Sequence, residues 1–198
     1  MQLTQSTISV WNQALARLGQ TEMVNPDDNS PGAVLCRLHY EAALDDVLRL
    51  HHFNCALARA ELARLADAPV FGWSYAYALP SDYIAILSMD NPAIKYKIEG
   101  NSLLTNAEAA RIIYTRRLTD ESKWSPGLRQ CVVLLLAARI EPRLTQSSGT
   151  GLLGELYNTA LPLARAADAW ENNGFVPRNG WLNPECPPEG GGWVTEGR

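Results

Sequence analysis

The chain has 198 residues, of which 46% are apolar and 19% charged, with a formal net charge of −4. This is enough chain for one domain with a real core, at an ordinary soluble composition. The acidic balance argues against a nucleic-acid binder, and the longest apolar run, residues 131–138, is far short of the ~20 residues a membrane helix needs.

No basic stretch followed by an apolar core opens the chain, so no signal peptide is expected. Cys36, Cys55, Cys131 and Cys186 are widely separated. None has metal-ligand or redox spacing, and reduced, mostly buried thiols are expected, as in a cytosol.

Residues 6–18 read as a helix capped by Ser6 or Thr7, with Ile8, Trp11, Leu15 and Leu18 on one face and Gly19 as the stop. After a polar loop around Asn25, Ser30-Pro31 starts a second helix over residues 31–51, Ser30 as cap and Pro31 in the first turn. Its expected apolar stripe is Val34, Leu35, Leu38, Ala42, Val47 and Leu48. His51 and His52 end it; adjacent histidines on a helix diverge and do not chelate one metal well.

Residues 53–65 are ambiguous, since Ala, Leu, Arg and Glu favour helix while the alternation Phe53, Cys55, Leu57 favours strand. Residues 72–79 and 83–89 read as strands on either side of Pro80-Ser81-Asp82. Proline lacks a ladder donor and belongs at a strand end, and Asp82 suits a turn, where its side chain bonds nearby amides. Residues 95–104 read as a hairpin turning at Gly100 and Asn101, and residues 111–118 as a further strand.

Ser125-Pro126 repeats the start signal of Ser30-Pro31 and opens a helix over residues 126–146. It is nearly all apolar from Val132 to Ala138 and is expected to be the most buried, with Pro142 kinking or interrupting it. The last predicted helix covers residues 152–172, with Leu153, Leu156, Tyr157, Ala160, Leu163, Ala164 and Ala167 inward and Pro162 as a second kink.

Residues 173–198 hold 6 of the 14 glycines and 4 of the 12 prolines, together with Phe175, Trp181 and Trp193. Such a composition supports little regular structure. The aromatic residues suit a segment that docks on another surface, or one that folds back on its own domain.

No constellation for chemistry emerges. His39, His51 and His52 lie near no nucleophile, and phosphate-loop, His-Glu-x-x-His and Gly-x-Ser-x-Gly patterns are missing. Asp45-Asp46 reads as an exposed polar face, Asp27-Asp28 as a loop signal rather than a calcium loop, and Arg116-Arg117 as a solvated strand end. Trp73, Tyr75 and Tyr77, with Pro80 and Asp82, read as packing groups of a small β platform. No catalytic residue, cofactor or metal is expected.

The order of these signals resembles the tail tubular protein A family, the head-to-tail adaptors of short-tailed bacteriophages. The matching stretches are Ala14-Leu15-Ala16-Arg17-Leu18-Gly19; residues 33–50 with Cys36 and Tyr40; residues 53–63; residues 73–83; Glu99-Gly100, Ile113-Tyr114, Thr119-Asp120; and the last helix to Ala169-Trp170-Glu171. The resemblance covers about residues 8–171, and its best single mark is Leu79-Pro80-Ser81-Asp82 between an aromatic and an apolar strand. Phe53 stands where a tryptophan is expected, and Pro142 falls in a helix expected to be continuous.

The resemblance implies a non-enzymatic virion protein of the tail or neck, assembled in the host bacterial cytoplasm. It implies a connector of twelve subunits that joins the portal protein to a tail nozzle resembling tail tubular protein B, and a channel through which DNA passes during ejection without specific binding. It also makes residues 53–65 begin as a strand. The expected fold is α+β and mainly α. About four helices, N- and C-terminal, bundle around a small central antiparallel sheet inserted at about residues 53–118, residues 1–172 forming one domain and 173–198 a tail. A cellular helical interaction module with no enzymatic activity is the alternative reading.

Overall fold

A computed structural model describes residues 5–25, 28–145 and 151–172. The described residues contain four α-helices: α1 (Gln5–Arg17), α2 (Pro31–Leu50), α3 (Pro126–Leu144) and α4 (Leu152–Asn172). Six strands lie between α2 and α3: β1 (Leu57–Glu61), β2 (Tyr75–Ala78), β3 (Tyr83–Met89), β4 (Tyr96–Glu99), β5 (Ser102–Thr105) and β6 (Arg111–Arg116). The mixed, mainly helical class agrees with the sequence.

The start and stop signals act as expected. Ser30 Oγ accepts from Ala33 N at 3.3 Å, and Ser125 Oγ accepts from Leu128 N at 3.3 Å. Gly19 has a φ of 66°. It donates to Ala16 O and Gln20 donates to Leu15 O, the paired bonds by which a left-handed glycine closes a helix. The cap expected at Ser6 or Thr7 is corrected. The helix already includes Gln5, and Thr7 is buried with its hydroxyl donated to Glu121.

α3 is the central helix, packed against α1, α2 and α4, and Val132, Val133, Leu134, Leu136, Ala137 and Ile140 are all buried. Pro142 does not interrupt it. It lies in the last turn, where only one helical hydrogen bond is forfeited, and the helix runs to Leu144. α4 likewise continues through Pro162.

Two inward faces differ from expectation. On α2 the core takes Ala33, Cys36, Tyr40, Ala43, Leu44, Val47 and Leu48, while Val34 (46% exposed), Leu38 (68%) and Ala42 face out. On α4 the core takes Leu153, Tyr157, Ala160 and Ala164, with the acid Asp168 buried beside them. Leu156, Leu163 and Ala167 are exposed. Both helices carry apolar residues on more than one face, and on α4 the small Ala160 and Ala164 lie inward where that helix approaches α3 closely. A Cβ on Gly127 of α3 would stand 2.8 Å from Ala164 Cβ.

This close approach predicts opposite outcomes for two glycines. Gly127→Ala gains at most about 1 kcal/mol of helix propensity but forces an overpacking cost of about 1–3 kcal/mol, for a net loss of up to about 2 kcal/mol. Gly154 has open space around its Cβ direction, so Gly154→Ala should gain about 0.5–1 kcal/mol. Urea unfolding midpoints of the two variants check both signs.

The single central sheet is also corrected, because the strands form two three-stranded antiparallel sheets, β1-β6-β3 and β2-β5-β4. The chain alternates between them. β1 pairs with β6, and the chain then runs beside β2, where Leu65 N donates to Ala76 O and Ala78 N to Ala63 O. Residues 53–65 thus resolve into a 3-10 turn at Asn54–Ala56, the strand β1 and this edge segment; the strand that the resemblance implied is present, but it starts at Leu57 after the turn rather than at the head of the segment. The β4–β5 hairpin turns at Gly100, whose φ is 58°. Leu62, Tyr77, Leu79, Met89, Leu103, Ala110, Ile112 and Tyr114 form a β core distinct from the helical one.

Candidate interaction surface

The segment Leu79-Pro80-Ser81-Asp82 is where the chain crosses from one sheet to the other, β2 on one side and β3 on the other. Leu79 N donates to Asn101 O at 3.2 Å and Tyr83 N to Pro80 O at 3.1 Å, which closes the corner. Asp82 does not bond nearby amides with its side chain. It accepts from the Tyr114 hydroxyl at 3.1 Å, and its backbone carbonyl accepts from Arg117 N at 2.7 Å, so both bonds bind the corner to β6 and its end.

The three aromatic residues take different roles. Tyr77 is buried in the β core and donates its hydroxyl to Ala107 O at 2.8 Å. Tyr75 is half-buried under the Arg64 guanidinium, 3.9 Å from the ring centroid, a cation–π contact. Trp73 lies before β2, half-buried in the wall of a groove of about 470 Å³ that also involves Phe71, Leu104, Lys97 and Glu99.

At the rim of this groove Val70 is 97% exposed and Phe71 86%. Their only signal in the sequence is an apolar pair held between Pro69 and Gly72 without strand or helix period. Neither residue belongs to the helical core or the β core. Phe175, Trp181 and Trp193 lie outside the described residues.

Several other polar groups make contacts that tie elements together. Asp45 pairs with Arg117 and Asp46 with Arg139, which ties α2 to the end of β6 and to α3. Arg117 is thus a paired residue rather than a merely solvated one. Glu121 is buried and receives hydroxyls from both Thr7 and Tyr40 at 2.6 Å. Burial pushes the Cys36 thiol up to about 12 and the Cys131 thiol up to about 11, so neither is a nucleophile at neutral pH.

The two histidines diverge. His51 Nε2 lies 3.0 Å from Asp168 Oδ2, and His52 Nδ1 lies 2.6 Å from Thr115 Oγ1. Asn54 N also donates to Asp168 Oδ2, at 3.2 Å, and Asn54 Nδ2 to Asp168 O, at 2.9 Å. This cluster joins α4, the end of α2 and sheet β1-β6-β3. Sequence patterning missed both Glu121 and Asp168, since an acid in a helix or link reads as surface. Among the described residues no three His, Cys, Asp or Glu side chains converge on a metal-sized site, and no helix is long and apolar enough to cross a membrane.

Burial, then the neighbouring His51, pushes the His52 imidazole below its usual 6.5. A depressed histidine binds its proton more tightly in the unfolded chain. Its contribution to stability is therefore complete above about pH 6.5 and lost as pH falls through the lowered value. Between about pH 7 and about pH 5, His52→Gln should lose stability less steeply than the parent chain. Denaturant unfolding at stepped pH measures this, and parallel slopes would contradict it.

No protein-family profile matches the chain, and no curated protein matches it significantly.

Proposed function

We propose that the chain is a structural head-to-tail adaptor of a short-tailed bacteriophage virion, without enzymatic activity. It would join the portal ring to a tail nozzle as one of about twelve identical subunits. What carries this reading is the resemblance over about residues 8–171, whose best single mark is Leu79-Pro80-Ser81-Asp82.

Three properties support it. The corner segment is the crossover between two small sheets, a position where residue identity is constrained by geometry rather than chemistry. The buried acids Glu121 and Asp168 are engaged in structural hydrogen bonds. The net charge of −4 suits the wall of a DNA channel, since a basic lining would hold the phosphate backbone and an acidic one lets it slide.

In this reading Phe175, Trp181 and Trp193 anchor the subunit to the portal or to a neighbour. Gradient sedimentation with the portal protein encoded in the same genome tests both parts. The full chain should co-sediment with the portal ring, and a chain ending at residue 173 should fold with the same thermal midpoint but stay at the top. Binding by the shortened chain would refute the role of the last residues. No binding by the full chain would refute the adaptor reading and favour a cellular interaction module.

A further inference from the structure

The two helices whose inner faces differ from expectation leave two unlike surfaces with exposed apolar residues on one subunit, the larger part of the first being lined mainly by polar residues, Gln13, Arg17, Arg129 and Gln130. The first is a groove floored by α3 and walled by α1 and α4. It consists of adjoining depressions of about 570 and about 120 Å³ that share Arg17 and Gln130. Leu156 (40% exposed) and Leu163 (67%) form its α4 wall, and Trp170 (70%) continues the same stripe at the same seven-residue interval. A seven-residue apolar repeat is a seam for another helix, not for an extended segment.

The second surface is the outward ridge of α2, Val34, Leu38 and Ala42, at i, i+4 and i+8. Such ridges are the units that settle into the grooves of neighbouring helices. The ridge is about 12 Å long and the Leu156-to-Leu163 wall about 10.5 Å at 1.5 Å per residue, so they match. One pair of charges is complementary, while the exposed Arg37 also borders the ridge and Arg129 also lines the groove. Glu41 stands on the ridge between Leu38 and Ala42 in sequence, Arg17 lines the groove, and neither makes an ion pair among the described residues.

We infer that the occupant of the groove is a second copy of this chain: the α2 ridge of one subunit seats in the α1–α3–α4 groove of the next, with Glu41 against Arg17. The ridge is on a helix that does not line the groove, so the contact joins different patches and leaves one ridge and one groove free at the ends of any open chain. Repetition of such a contact closes as a ring or grows as a filament. The inference deepens the adaptor reading, and rests on it for the choice of a ring. Residues 173–198, with 6 glycines and 4 prolines in 26 residues, are a poor source of the helix the seam requires.

Native mass spectrometry and sedimentation velocity of the full chain over a concentration series test the contact. The parent chain should self-associate. Leu38→Glu and Leu163→Glu should each raise the dissociation constant by ~30-fold or more. An equimolar mixture of the two should form dimers and nothing larger, because only one ridge and one groove remain competent. Glu41→Arg and Arg17→Glu, each weakened alone, should recover association when mixed, and they serve if a leucine variant fails to fold.

A parent chain that stays monomeric at millimolar concentration overturns the inference. So does undiminished assembly of Leu38→Glu, which would mean an α4-to-α4 contact, or loss of assembly only on removing residues 173–198. The adaptor reading fails separately. Assembly through these faces without portal binding leaves the inference standing, whereas a complete collar of Leu38→Glu subunits on the portal refutes the inference alone.

Discussion

Replacing Tyr77 with alanine should destabilise the β half of the molecule by about 3–5 kcal/mol, the range for deleting a buried aromatic side chain. Tyr77 is 1% exposed and fills the space between Leu62, Leu79, Leu103 and Ile112. Its loss opens a cavity between the two sheets and leaves Ala107 O without the phenol donor. Tyr77→Phe keeps the ring and should cost only about 1 kcal/mol, the worth of one hydrogen bond. Because the β core is distinct from the helical core, the damage should be local. Amides of β2, β5 and β6 should exchange faster while those of α3 remain protected. Hydrogen exchange read by mass spectrometry checks this, and equal loss of protection in α3 would show one cooperative unit.

Glu121→Ala should cost about 2–5 kcal/mol by a different route. Glu121 is 1% exposed, and one carboxylate oxygen accepts from Thr7 on α1 and Tyr40 on α2. Alanine leaves two buried hydroxyls without that acceptor, at about 1–3 kcal/mol each. Burial, and then the bond to Glu121, push the Tyr40 phenol well above its usual range, so it remains a donor. Its ring is also held edge-on to Trp11, with centroids 5.8 Å apart, and stacked on Trp124 at 6.4 Å. Movement of Tyr40 therefore disturbs the contact of α1 with the link before α3. Glu121→Gln retains an acceptor oxygen and should lose about 1 kcal/mol. The urea midpoint with an unchanged m-value measures the cost, and a loss for Glu121→Ala under about 1 kcal/mol would contradict the network.

The local signals were legible because their physics is local. Ser30 and Ser125 before a proline satisfy orphan amides within three residues, and Gly19 and Gly100 supply the left-handed backbone of a cap and a turn. What was not legible depends on distant partners. Periodicity identified α2 and α4 as helices but not their inner faces. Val34 and Leu38 are as apolar as Cys36 and Tyr40, and only the packing against α3 decides between them.

The division into two sheets was hidden for the same reason. Strand partners such as Leu57 with Thr115 are far apart in sequence, and alternation reports a buried face without saying which sheet shares it. Of the interaction surface, the Leu79-Pro80-Ser81-Asp82 corner was visible and its crossover role was not. The Val70–Phe71 tip and the groove of Arg17, Leu156 and Leu163 became visible only with the neighbours in place.

The most direct test of the adaptor reading is electron microscopy of the full chain mixed with the portal ring encoded in the same genome. The account predicts a twelvefold collar of added density on one face of the ring, with an open central channel. A bare portal ring, or a single small complex bound at one point on its rim, would contradict it.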